Sequence, residues 1–254
     1  MNVVVPVKLV PDLVEELEIA PSGVELDTTF GRLVLNEFDE HALEQALLLK
    51  ERSGATVTVL AAGPEAAEEV LYSAAAKGAD RLVRIGADLP RPANSHALAR
   101  LFGAAIREMA PDLVLIGVQA HDSLDGPIGP MLAEGLGMPY VGYVSGVTLA
   151  EGCCTVRKEY PGGMTAEVEV DLPAVLGIQA AEQPPRYIVT SLITQAMKTA
   201  QIEESEAGEA DNSGAAAIAR MSWVIAAQAE MIAGEADQVA DRLVALFEER
   251  GLLP

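Results

Sequence analysis

The chain has 254 residues, half of them apolar, which suits one large domain with a sizeable core, or one domain plus an arm, and excludes a disordered chain. Aromatic residues make up only 4% and the formal net charge is −21, so base-stacking platforms and a basic face for phosphate backbones are both excluded and no nucleic acid partner is expected. The acidity serves solubility, or steers the chain toward basic partner surfaces. No basic region followed by a long apolar run opens the sequence, and no apolar run approaches about 18 residues, so neither a secretory signal nor a membrane span is expected. The two cysteines, Cys153 and Cys154, are adjacent. Neighbours on a strand face opposite ways, so they should stay unpaired, which suits a reducing cytoplasm.

In chain order, "VVVPVKLV" (3–10) is a β-branched, nearly unbroken apolar run and reads as a buried parallel strand. "NEFDEHALEQALLLKERSG" (36–54) reads as a helix: Ala42, Leu43, Ala46, Leu47 and Leu49 fall at helical spacing, Asp39 and Glu40 suit its positive end, and Gly54 closes it. "ATVTVLAAG" is a strand, "PEAAEEVLYSAAAKG" a helix, "ADRLVRIGA" a strand, and "NSHALARLFGAAIREMA" a helix capped by Asn94 or Ser95. "PDLVLIGV" is a fourth strand. This alternation, about every 25 to 30 residues, predicts βαβ units and a doubly wound, mostly parallel α/β sheet.

From 139 the texture changes. "YVGYVSGVTL", "CCTVRKEY", "MTAEVEVDL" and "AVLGIQA" read as antiparallel hairpins added to that sheet. "EQPPRYIVTSLITQAMKTAQIEE" (182–204) reads as a loop passing into a short helix, and "SEAGEADNSG" (205–214) as a flexible acidic linker. Residues 215–234 are ambiguous between helix and strand plus loop. "EADQVADRLVALFEERG" (235–251) is an amphipathic helix with Val239, Leu243, Leu246 and Phe247 on one face. The expected division is a nucleotide-binding domain over 1–200 and a linker with a helical arm over 201–254.

The stretch after the fourth strand, "QAHDSLDGPIGPMLAEGLGMP" (119–139), is rich in glycine and holds no Lys or Arg. It either merely turns the chain or cradles a phosphate on free backbone N–H groups at a helix start. Gly126 and Gly129 would allow close approach, while Pro127 and Pro130 suit the first helical turn around Ile128 and Met131. Asp122 and Asp125 would then cap N–H groups or accept from ribose hydroxyls, beside Ser123. Other loops should converge on the same crevice: Lys8 after the first strand, Ala62 and Gly63 after the second, and Asn36, Glu37, Phe38 and Asp39 at a helix start. Lys8 reads equally as a solvated edge cation, Phe38 as core packing and Asn36 as a cap or turn residue. His121 is the histidine within that loop, whereas His41 and His96 fall in helices. No HExxH, CxxC or nucleophile elbow occurs, so no metal site and no catalytic side chain is proposed.

Taken together, "VPVKLVPD" (5–12), "NEFDEHALEQALLLKE" (36–51), "AAGPEAAEEVLYSAAAKGADR" (61–81), "PDLVLIGVQAHD" (111–122) with "GPIGPM", "PGGMTAEVEVDLPAV" (161–175) and "PPRY" (184–187) resemble the β subunits of electron transfer flavoproteins. The resemblance covers residues 1 to about 200. It implies a heterodimer whose α subunit carries most of a redox-active FAD, and a β subunit holding AMP or, in electron-bifurcating members, a second FAD. By that match Pro6, Asn36 to Asp39, Ala62 and the 122–131 loop line the nucleotide site, and Phe38 also lies near the flavin. Tyr187 to Met197 corresponds to the docking loop for redox partner dehydrogenases, with Leu192 as its apolar anchor. Three departures stand out: "PIGPM" (127–131) where simple carriers have "QTGQM", "HDSLDG" (121–126) unlike the loop of bifurcating members, and "KTAQIEE" (198–204) in place of a lysine run.

Overall fold

The computed structural model describes residues 1–29, 31–63, 67–86, 94–123, 126–205, 210–224, 229 and 231–253. The elements in chain order are β1 (Asn2–Val7), β2 (Leu9–Pro11), β3 (Glu18–Ile19), β4 (Leu26–Asp27), β5 (Leu33–Leu35), α1 (Glu37–Ser53), β6 (Thr56–Ala62), α2 (Ala67–Lys77), β7 (Arg81–Ile85), α3 (Ser95–Met109), β8 (Leu113–Gly117), α4 (Ile128–Leu136), β9 (Tyr140–Leu149), β10 (Cys153–Tyr160), β11 (Met164–Asp171), β12 (Ala174–Ile178), α5 (Thr190–Thr199), β13 (Ile202–Ser205) and α6 (Ala236–Glu249). Contacts divide the chain into two compact units, Met1–Arg220 and Met221–Pro254.

The first unit is built on a nine-stranded sheet in the order β11-β10-β9-β12-β8-β1-β6-β7-β13. Strands β12, β8, β1, β6, β7 and β13 are parallel neighbours. The sheet is an α/β, mostly parallel one, as the alternating pattern requires. Its central strands are buried on both faces, which explains their unbroken Val/Leu/Ile runs. Val3, Val5 and Val7 point into one core with Leu43 and Leu47 of α1, whereas Val4 points into the other with Phe102 of α3 and Leu132 of α4. Each such buried side chain contributes about 1.5–3 kcal/mol. Asn94 caps α3 by accepting from the Ala97 N–H at 2.9 Å, and Gly54 ends α1 with φ 71.

Four local readings need correction. The 3–10 run is not one strand: it breaks at Lys8, and β2 turns away to pair antiparallel with β5. "AVLGIQA" is not part of a hairpin: β12 runs parallel to both β8 and β9, and only β9, β10 and β11 form the antiparallel extension. Its five residues are all buried, which is the mark of a central strand. The tail of the 182–204 stretch is a strand, not helix and loop: β13 extends the parallel edge, tied by Arg81–Glu203 and Arg84–Glu204 pairs. The acidic segment that follows is pinned at its described end, since Arg100 donates to the carbonyls of Asp211 and Ser213. The described residues between 215 and 234 carry no helix or strand.

In the second unit, α6 starts with a capping box between Glu235 and Gln238. Among the described residues no helix is long and apolar enough to cross a membrane. Both cysteines are free, with burial pushing the Cys154 thiol up to about 11.

Candidate functional site

Strand order reverses beside β1: the chain runs outward through β6 and β7, then returns to β8 on the other side. The carboxyl ends of β1 and β8 therefore splay apart, which is where open α/β sheets hold ligands. A crevice of about 280 Å³, counting its open mouth, lies there. Its lining comes from the tip of β1 (Pro6, Val7, Lys8), the start of α1 (Asn36, Asp39), the tip and loop of β8 (Ile116, Gly117, Gln119, Ala120, Ser123), Phe102 and Ile128.

The rim is wired by Asp39. Its carboxylate accepts from the Lys8 N–H at 2.9 Å and from the Gly117 N–H at 2.8 Å, so one side chain joins the ends of β1 and β8 to α1. Burial pushes its pKa up to about 6, against the downward pull of those two bonds and of the Asn36 side chain. Gly117 makes the approach possible. A Cβ there would sit 2.5 Å from Asp39 Oδ1 and 2.7 Å from the Asp39 nitrogen. Asn36 occupies the cap position of α1 without a side-chain cap bond. Its Nδ2 instead donates to the Gln119 carbonyl at 3.0 Å, tying α1 to the loop after β8.

Lys8 is not a solvated edge cation. Its side chain is 11% exposed, and Nζ sits 2.6 Å from Asp122 Oδ1 and 3.4 Å from Ser123 Oγ. Asp122 therefore pairs with a cation, and among the described residues no helix N–H donates to it. The start of α4 has Pro127 at its cap position and no side-chain cap bond. Pro130 in the first turn lacks an N–H, so Ile128 and Gly129 carry the free amides there. The Ser95 hydroxyl at the start of α3 donates to the Gly126 carbonyl at 2.7 Å and anchors this turn, where Gly126 takes φ 104. The first turn of α4 is seated by Tyr140, whose ring a Cβ on Gly129 would strike and whose hydroxyl a Cβ on Gly142 or Gly177 would strike. Burial pushes the Tyr140 phenol up to about 12.

Of the sequence-derived candidates, Pro6, Lys8, Asn36, Asp39, Ser123 and Ile128 line the crevice together. Gly126, Gly129, Pro127, Pro130 and Met131 build the adjoining turn and first turn of α4, with Pro127 and Pro130 exposed. Ala62 and Gly63 stand at the tip of β6 and are not among the lining residues, and Gly63 donates to the Ile85 carbonyl instead. Glu37 is exposed and Phe38 half-buried, both outside the lining. Asp125 lies outside the described residues. Val7, Phe102, Ile116, Gly117, Gln119 and Ala120 were missed. Gly117, breaking an apolar strand at its end, carried a local signal; Phe102 lies mid-helix and carried none. His121 is exposed, with Nε2 3.0 Å from the Pro11 carbonyl.

The 187–197 stretch is held from behind. Arg186 grips Glu44 at 2.8 Å and Glu51 at 2.8 Å, while Glu182 takes Arg52 at 2.6 Å and Gln45 at 3.1 Å. The hydrogen bonds of Glu44 lead in raising the Arg186 pKa. Beyond this clamp Tyr187, Val189, Leu192 and Met197 are exposed, at 44–86%.

Residues 28–211 match the model of the electron transfer flavoprotein domain family. The electron transfer flavoprotein subunit beta of Methylophilus methylotrophus is 34% identical over 261 aligned positions, covering 98% of both chains. That of Clostridium acetobutylicum is 35% identical, covering 74% of this chain and 72% of the relative. The mitochondrial subunit beta of Oryza sativa subsp. indica is 34% identical, covering 77% and 78%. With a parallel sheet, a switch-point crevice and this agreement along its length, the chain belongs to the electron transfer flavoprotein family, among its β subunits.

Proposed function

We propose that the chain works as the β subunit of a heterodimeric electron transfer flavoprotein and holds an adenine nucleotide in the crevice between the tips of β1 and β8. The observation that carries this reading is the convergence there of Pro6, Lys8, Asn36, Asp39, Ser123 and Ile128 from separate segments. The lining suits such a ligand. Phe102, Ile116 and Ile128 give a base an apolar wall, Asn36 and Ser123 are polar, and the uncapped start of α4 and the Lys8 ammonium attract an anion. The crevice is tight as it stands, with room for about one water behind its mouth, so it has to open for either nucleotide.

The α subunit would carry most of the FAD, with Phe38 facing it, and of the expected 201–254 arm the part beyond Arg220 would pack on that subunit, since β13 and the residues up to Arg220 belong with the sheet. The flavin, when bound, supplies the redox chemistry; this chain's residues bind, orient and exclude water, and none acts as acid or base. Electrons would come from flavin dehydrogenases or NADH, docked at Tyr187 to Met197, and pass to an acceptor such as a quinone reductase. The exposed apolar side chains held in place by the Arg186 clamp support that docking role. A cytoplasmic setting agrees with two free thiols.

Co-purification with the α chain, an absorbance spectrum and chromatography of acid-released nucleotides test the reading. One FAD and one AMP per heterodimer is the expected outcome. Two FAD and reduction by NADH would identify a bifurcating form. A colourless complex that releases no adenine nucleotide would overturn the assignment.

A further inference from the structure

The crevice is nearly shut. Behind its mouth there is room for about one water, about 10 Å³, so an adenylate enters only if something moves. At this lining Lys8 is held in an ion pair with Asp122, with side chains 11% and 30% exposed. Among the described lining residues Lys8 is the cation, in a chain of net charge −21. The carboxylate within the lining, Asp39, already accepts from the backbone amides of Lys8 and Gly117. Asp122 is thus the acceptor that neutralises the Lys8 ammonium, with the Ser123 hydroxyl beside it.

We propose that the Lys8–Asp122 pair is an internal latch, in which Asp122 stands in for the phosphate of the nucleotide and yields to it when the site fills. The proposal rests on the nucleotide reading above. A phosphate and a carboxylate compete for the same ammonium, because both are anionic oxygen acceptors. Lys8 cannot swing far, since its backbone N–H is held by Asp39. A ligand without an anion makes no claim on the Lys8 ammonium, so the latch tempers the affinity for phosphorylated adenine compounds and leaves adenosine unaffected.

The test titrates AMP, FAD and adenosine into the α–β heterodimer after its loosely held nucleotide is dialysed away, with binding followed by calorimetry. In Asp122→Asn the latch is neutral, and AMP should bind roughly five- to tenfold more tightly while adenosine is unchanged. Asp122→Ser, made beside it, carries the same expectation by deletion. Lys8→Gln should weaken AMP at least about tenfold and leave adenosine within about twofold. A gain confined to phosphate-bearing ligands supports the latch. Unchanged or weaker AMP binding in both Asp122 variants, or an equal gain for adenosine, overturns it while leaving the nucleotide reading intact. A wild-type heterodimer that binds none of the three ligands overturns the nucleotide reading, and the latch with it.

Discussion

Two carboxylates on α1 are equally buried and behave in opposite ways. Asp39, 3% exposed at the crevice rim, meets backbone N–H groups and an amide, and burial lifts it to about 6. Glu44, 4% exposed and little more than a turn away, is also pushed up by burial, but the hydrogen bonds and charge of Arg186 outweigh that push and hold it low. The difference follows from the partner. Neutral donors satisfy a carboxylate without compensating its charge, whereas a guanidinium does both. The rim is left sensitive to charge, as a ligand site should be. The clamp behind Tyr187 to Met197 is a fixed mount, with apolar side chains turned out on its far side.

Breaking the clamp should have the largest effect. Arg186→Met leaves the Glu44 carboxylate buried without its cation, and should cost about 3–5 kcal/mol, read as a drop in the urea midpoint. Next is Gly117→Ala. Its Cβ would land on the backbone and carboxylate of Asp39, which cannot rotate away, so about 3 kcal/mol and loss of co-purifying nucleotide are expected.

Asp39→Asn should cost about 1–3 kcal/mol, because its NH₂ must face either the Lys8 or the Gly117 N–H. It also sharpens the comparison through pH. With the folded pKa at about 6 and the ordinary value at 3.8, the folded state binds the extra proton between them. The contribution of Asp39 is fully present below pH about 4 and is lost as pH rises through about 6, a span of at most about 3 kcal/mol. Urea melts from pH 4 to 7 should carry that decline in the wild type and lack it in the Asn variant. A decline of equal size in both would reject the assignment to Asp39. The smallest effect on folding is expected at Leu192, 44% exposed on α5. Leu192→Ala should shift stability by less than about 0.5 kcal/mol, yet raise the KM for a partner flavin dehydrogenase while sparing kcat.

The site was legible where chemistry and position coincide in a short stretch. The residues around Asn36 and Asp39 sit at a helix start after a loop, and "DGPIGP" sits after a strand, so both could be assigned to the rim from local pattern. Phe102 was not legible, because an aromatic on the buried stripe of α3 looks like any core residue. Lys8 could be placed at the rim but not paired. Its partner Asp122 is 114 positions away, and no local rule links them. The strand β12 was misread because its neighbours in sequence form hairpins, and its own insertion between β8 and β9 depends on pairing with β8, 61 positions earlier in the chain (Ala174 opposite Leu113).

The sequence by itself determined the parallel α/β rhythm, the two-faced core of the Val3–Val7 strand, the helix caps at Asn94 and Gly54, and the family resemblance. Those depend on periodicity and on residues near one another in the chain. Tertiary structure alone decided that Asp39 links two strand ends, that Asp122 closes on Lys8, and that Arg186 ties the segment before α5 to α1. Those contacts join segments 31 to 142 residues apart, and the burial that sets their strength exists only once the sheet has brought the segments together.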